Sequence, residues 1–196
     1  MTGAVSRAVL AALILAAAHA TASAAAAADE ALWARLKAGG QVIVMRHAST
    51  DKSVGDPPSF RLDDCATQRN LSAEGRGEAQ RLGAAFRARA IPIGRVLSSQ
   101  WCRCLETARL AFGEPTPWPA LNSTFRNREL EPERTREVRA LAGERPPGGN
   151  LVLVTHQLNI AALTSVYPAE GELVVLSPLG SGRFRVAGRL QPDTLN

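Results

Sequence analysis

Two short apolar runs, Val42-Ile43-Val44-Met45 and Leu151-Val152-Leu153-Val154, constrain this chain more than any other feature. Neither alternates with polar residues, and each follows a glycine-containing turn. A run that is apolar at successive positions is buried on both faces, as a central strand of a mostly parallel sheet is when helices cover both sides. Each run then ends in the same way, in Arg46-His47 and in Thr155-His156. Ligands of open α/β sheets bind beyond the carboxyl ends of the strands, so the two histidines are expected at the functional edge, side by side if the strands are neighbours.

Weaker patterns fill in the rest. Arg95 to Ser98 reads as a further strand, and Leu173 to Leu176 with Arg183 to Val186 flank Gly180-Ser181-Gly182 as a terminal hairpin. Ser72 can N-cap a helix carrying Ala79, Leu82 and Phe86, with Glu74 in its first turn. A second helix is expected from Trp101 to about Phe112, ended by Gly113 and Pro115, and a third from Pro132 to Leu141. A fourth follows His156, and a short one near Asp29 to Lys37 precedes the first strand. Alternating strands and helices predict a three-layer αβα sandwich around a mostly parallel central sheet.

The first 28 residues are set apart from this domain. Arg7 supplies a one-charge amino-terminal region, Ala8 to Ala18 a short apolar stretch, and Ala18-His19-Ala20 or Ala22-Ser23-Ala24 small residues suited to cleavage. The expectation is a signal peptide over 1–28 and a single domain over 29–196, periplasmic or secreted, with the membrane involved only through export. The apolar stretch is too short to span a bilayer.

Removing Arg7 lowers the formal charge from +5 to +4, and the arginines are scattered without a run of five or more. With aromatics at 5%, nothing reads as a nucleic-acid surface; the positive field favours small anionic substrates instead. Three cysteines remain, Cys65, Cys102 and Cys104, in no zinc-like spacing. Cys102 and Cys104 are too close in sequence to pair easily, so a bridge from Cys65 to one of them is expected.

Arg46 offers a planar fork of donors beside His47, suited to phosphate or carboxylate. Arg103 lies just inside a helix that starts after Leu97-Ser98-Ser99, which brings a guanidinium and a positive helix end to the same sheet edge. Two arginines and two histidines without an acidic cluster favour an anion site over a metal site, with a phosphoryl group as the expected ligand.

Arg46-His47-Ala48, Leu71-Ser72-Ala73-Glu74-Gly75 with Glu78-Ala79, Ser98-Ser99 with Arg103 and Glu106-Thr107-Ala108, and Val154-Thr155-His156 together resemble the histidine phosphatase superfamily, which includes the cofactor-dependent phosphoglycerate mutases. The segments fall in family order across about residues 41 to 165. The resemblance implies the phosphoglycerate mutase-like fold and a phosphohistidine mechanism. His47 would carry the phosphoryl group, while Arg46, Arg103 and His156 hold its oxygens, and no metal or cofactor is needed. Gln157, next to the second histidine, would add an amide at the pocket rim, and the loop from Ser49 to Asn70 would close over the substrate.

One element of the family pattern is missing. Where a carboxylic acid usually protonates the leaving oxygen, the chain has Leu121-Asn122-Ser123-Thr124-Phe125-Arg126-Asn127-Arg128; Glu131 or Glu129 is the nearest candidate. The expected activity is therefore an exported phosphatase of phosphomonoesters, with a small phosphorylated molecule or an envelope sugar phosphate as substrate. Three alternatives stand beside it: a phosphohistidine or acyl-phosphate phosphatase, a non-catalytic phosphate-binding module of the same fold, and a metal-dependent hydrolase that would bring Asp63 or Asp64 to His47.

Overall fold

A computed structural model describes residues 27–191. The expected signal peptide, apart from its last two residues, lies outside the described residues. Helix α1 covers 27–38 and leads through Gly39-Gly40 into strand β1, Val42–Arg46. The chain continues through α2 (Ala73–Ala88), β2 (Ile93–Ser98), α3 (Cys102–Phe112), the two-residue strand β3 (Thr116–Pro117) and α4 (Glu131–Ala142). It ends in β4 (Asn150–Thr155), α5 (Gln157–Thr164), β5 (Leu173–Gly180) and β6 (Arg183–Leu190).

The six strands form one sheet in the order β3-β2-β4-β1-β5-β6. The first four run parallel, β5 is antiparallel to β1, and β6 is antiparallel to β5. The two runs that read as central strands are β1 and β4, and they are neighbours, with Val42 opposite Leu151 and Arg46 opposite Thr155.

Their unbroken apolar character follows from the layers. Successive side chains of a strand point to opposite faces. Ile43, Met45, Val152 and Val154 face one core with Leu36, Leu82, Phe86 and Ala108 of α1, α2 and α3. Val42, Val44, Leu151 and Leu153 face a second core with Val138, Ile160 and Leu163 of α4 and α5. Every position of either strand therefore meets a helix, and a polar residue on either face would be stranded.

The expected elements are present, with longer ends. The terminal hairpin strands run eight residues each rather than four, because β5 and β6 continue pairing to Gly180 and Arg183. Ser72 N-caps α2 by accepting from the Gly75 N–H at 3.0 Å, as the sequence pattern indicated. Cys65 pairs with Cys102 across 37 residues, and Cys104 remains a buried thiol. Among the described residues no helix is long and apolar enough to cross a membrane.

Candidate active site

The register of β1 and β4 dictates the first contact. Arg46 and Thr155 are opposite, so the residues after them leave the sheet together, and the His47 N–H donates to the Thr155 carbonyl at 3.1 Å. The two imidazoles meet edge to face, with ring centroids 5.6 Å apart. Both are buried, at 3% and 5% exposure, so the desolvation cost of charging either one is large.

His47 Nδ1 lies 2.9 Å from the Ala48 carbonyl oxygen. A carbonyl only accepts, so Nδ1 carries the proton and Nε2 keeps its lone pair. Burial, then the Arg103 charge and more weakly the Arg46 and Arg69 charges, push the His47 pKa down to about 3, against the raising effect of the Ala48 carbonyl. The ring is neutral at ordinary pH.

The His156 tautomer follows from a chain of hydrogen bonds. The Gln100 N–H donates to Asn122 Oδ1 at 2.8 Å, and Asn122 Nδ2 donates to Gln100 Oε1, which orients the amide. Ser99 Oγ then gives its proton to Asn122 Oδ1 at 3.1 Å and must accept from His156 Nε2–H at 2.9 Å. Burial, followed by the Arg103 and His47 charges, holds the His156 pKa well below its ordinary value.

Three guanidinium groups surround these rings. Arg46, at the end of β1, donates to the Pro168 carbonyl at 3.0 Å and lies 3.6 Å from Glu170. Arg103, second residue of α3, donates to Asp56 Oδ1 at 3.0 Å and to the Arg69 carbonyl at 3.3 Å. Arg69 was not singled out by the sequence, because it lies in an irregular stretch with no periodicity. Its backbone N–H donates to Asp56 Oδ1 at 3.0 Å. The Nε atoms of Arg46, Arg69 and Arg103 are all buried without an acceptor among the described residues. Three guanidinium groups that line one cleft with two neutral histidines are what a site built for an oxyanion presents.

The cleft over these groups has a volume of about 660 Å³. Its polar lining includes five arginines, Arg46, Arg69, Arg103, Arg126 and Arg134, and a single carboxylate, Asp56. Gln157 also lines it, but its Nε2 donates to the Pro168 carbonyl at 3.0 Å, the same oxygen that Arg46 uses. Glu131 and Glu129 do not line the cleft: Glu131 begins α4 and accepts from Arg128 at 3.0 Å, and Glu129 lies in the turn Arg128–Leu130. Asp63 and Asp64 pair with Arg61 rather than approach His47. Among the described residues no group of three or more histidines, cysteines or carboxylates could hold a metal ion.

The Ser49–Asn70 loop does cover the site, and the structure supplies the reason. The Cys65–Cys102 bridge ties it to the first residue of α3, and Gln68 Oε1 accepts from the Cys102 N–H at 2.9 Å. Asp56 and Arg69 are thereby held against Arg103.

This architecture is a histidine phosphatase fold. Residues 42–131 match the model of the histidine phosphatase superfamily (branch 1), so the resemblance carried by the Arg-His, Leu-Ser-Ala-Glu-Gly and Ser-Ser motifs holds over β1 to the start of α4. Among solved structures, the protein histidine phosphatase SixA complexed with tungstate is similar at a TM-score of 0.59 and 16% identity, over 80% of this chain and 99% of that one. The Rv3214 protein of Mycobacterium tuberculosis is similar at 0.53 and 17%, over 74% and 94%. A variant of the TTHB049 protein of Thermus thermophilus gives 0.52 and 22%, over 77% and 99%. At these identities the likeness is one of fold. No curated protein matches the sequence.

Proposed function

We propose that the protein is an exported phosphatase that hydrolyses phosphomonoesters through a phosphohistidine on His47, without a metal. The observation that carries this reading is the unprotonated Nε2 of a neutral, buried His47 in one cleft with the guanidinium groups of Arg46, Arg69 and Arg103. Nε2 attacks phosphorus as the bond to the leaving oxygen breaks, and the arginines hold the equatorial oxygens where transition-state charge spreads. Water then forms the new P–O bond as the N–P bond breaks, releasing phosphate and a proton. The tungstate complex of SixA, a tetrahedral oxyanion on a protein of this fold, is consistent with the same use of the cleft.

The leaving group is the less ordinary part. The one carboxylate lining the cleft, Asp56, is paired with Arg103, and among the described residues the cleft lining holds no free carboxylic acid to protonate a departing alkoxide. Leaving groups that need little protonation, such as aryl or acyl phosphates and phosphohistidine, fit this site better than alkyl esters.

The test is turnover of p-nitrophenyl phosphate and of an alkyl sugar phosphate by the mature protein in EDTA, with His47→Ala alongside. Metal-independent hydrolysis of the aryl ester, abolished in His47→Ala and accompanied by a trapped phosphohistidine, is the expected result. Undiminished turnover by His47→Ala would overturn the mechanism, and phosphate binding without turnover would make the protein a binding module. Export is tested separately, by N-terminal sequencing of protein recovered outside the cytoplasm; a mature chain still starting at Met1 would overturn it.

A further inference from the structure

We propose that the mouth of the cleft holds a second anion-binding subsite centred on Arg126, so that the substrate's leaving group is a flat apolar body carrying an anionic group of its own. This rests on the phosphatase reading and narrows its substrate class.

The charge balance of the cleft points there first. Of its five guanidinium groups, Glu170 compensates Arg46 and Asp56 compensates Arg103. A bound phosphoryl dianion answers two more charges, which leaves at least one cation over. Arg69 stands beside the histidines with the phosphoryl-facing set, whereas Arg126 and Arg134 line the outer cleft with no carboxylate within 4.0 Å among the described residues. Arg134 spends its Nη1 on the Asn122 and Ser123 carbonyls, at 3.3 and 3.5 Å. Arg126 is the less committed of the two: Nη2 donates to the Asp56 carbonyl at 2.7 Å, and its other donors remain available to a ligand.

An aromatic stack runs between the two ends. Arg103 lies 4.4 Å over the Trp101 ring, Trp101 stacks on Phe60 at 4.3 Å, and Arg126 lies 5.8 Å over Phe60. Asp56 joins the same ends directly, its carboxylate on Arg103 and its carbonyl on Arg126. An aspartate spans about 5 Å between those oxygens, which places the two guanidinium nitrogens within about 11 Å of each other. That bound keeps the two ends within the reach of one small molecule carrying two anionic groups. Beside Arg126, Phe125 lines the cleft while 71% exposed, an apolar surface left largely open by the described residues. Flat apolar groups stack on such a ring, and a stacked arginine is well placed to meet an anion attached to them.

The experiment uses non-hydrolysable probes, so it does not depend on turnover. Phenylphosphonate and 4-carboxyphenylphosphonate are titrated calorimetrically into the mature protein, Arg126→Ala, Arg126→Lys, Phe125→Ala and, as a distant charge control, Arg185→Ala. The carboxyl group is expected to tighten binding by about tenfold. Arg126→Ala should abolish that gain and Arg126→Lys retain part of it. Phe125→Ala should weaken both probes, and Arg185→Ala should leave the ratio between them unchanged. Equal affinity of the two probes for the wild-type protein, or a carboxyl preference that survives Arg126→Ala, overturns the subsite. Binding of neither probe overturns the anion cleft itself. Binding with the expected preference but no turnover of aryl phosphates would overturn the phosphatase reading and leave the subsite standing.

Discussion

His47 and His156 sit with their ring centroids 5.6 Å apart, both neutral and both buried against arginines. In the unfolded chain each imidazole takes up a proton below about pH 6.5, whereas in the folded protein His47 resists until about pH 3 and His156 until well below its ordinary value. The unfolded state therefore binds more protons as pH falls, and stability drops at about 1.4 kcal/mol per pH unit for each ring. Between pH 6.5 and 5 His47 alone should cost about 2 kcal/mol, with His156 adding to the loss in the same direction. Denaturant melts at pH 7, 6 and 5 measure this; His47→Gln should halve the slope, and a flat profile would show that the rings charge without penalty.

The Cys65–Cys102 bridge holds the loop bearing Asp56 and Arg69 against the helix bearing Arg103. Its removal in Cys65→Ser should cost about 3 to 4 kcal/mol, the chain-entropy value for a loop of this size. It should also weaken inorganic phosphate binding severalfold, because Arg69 and Arg103 lose their common tether. Phosphate affinity in the presence and absence of a reductant reads the second effect. A reduced protein that binds phosphate unchanged would return the bridge to a purely stabilising part.

Asp56 accepts from Arg103 Nη1 at 3.0 Å inside the cleft, so its charge competes with a phosphoryl oxygen for that guanidinium. Replacing it with asparagine removes a competing negative charge while keeping the shape. Asp56→Asn should bind phosphate about fivefold tighter and turn over more slowly, because Arg103 and the Arg69 backbone lose the charge that orients them. Competitive inhibition by phosphate, read together with kcat, separates these effects. Weaker phosphate binding would mean that Asp56 assembles the site and does not compete for it.

What could be read from sequence was what local burial dictates. Val42–Met45 and Leu151–Val154 had to be central strands because every one of their positions meets a helix, and the residues following them had to leave the sheet together. Arg46, His47, Arg103 and His156 were legible for that reason, each being tied to the end of a strand or the start of a helix. Arg69 and Asp56 were not, since their positions depend on a disulfide and on hydrogen bonds across an irregular loop that has no period to read. Glu131 is suitably placed in the chain, yet its contact with Arg128 and its place at the start of α4 leave it outside the cleft lining.

The glycine of Leu71-Ser72-Ala73-Glu74-Gly75 has a physical reason that the motif alone does not give. A Cβ on Gly75 would lie 1.9 Å from the Ser49 carbonyl oxygen, two residues beyond His47, where backbone meets backbone and neither side can give. The same approach lets Ser72 donate its N–H to the Ser49 carbonyl at 3.1 Å and lets Glu78 accept from both the N–H and the hydroxyl of Ser49. Helix α2 thus clamps the segment that carries His47. Alanine normally stabilises a helix interior relative to glycine by about 0.5 to 1 kcal/mol. At Gly75 the sign should reverse, with Gly75→Ala destabilising by about 1 to 3 kcal/mol and lowering kcat by displacing Ser49 and the His47 ring. Gly77, two residues on in the same helix, would meet only the end of the Arg81 side chain at 3.1 Å, so Gly77→Ala should follow the ordinary rule and leave kcat alone. Denaturant melts and phosphatase rates on the two variants decide the matter: equal behaviour of the pair would mean that the loop carrying His47 is not held by this contact.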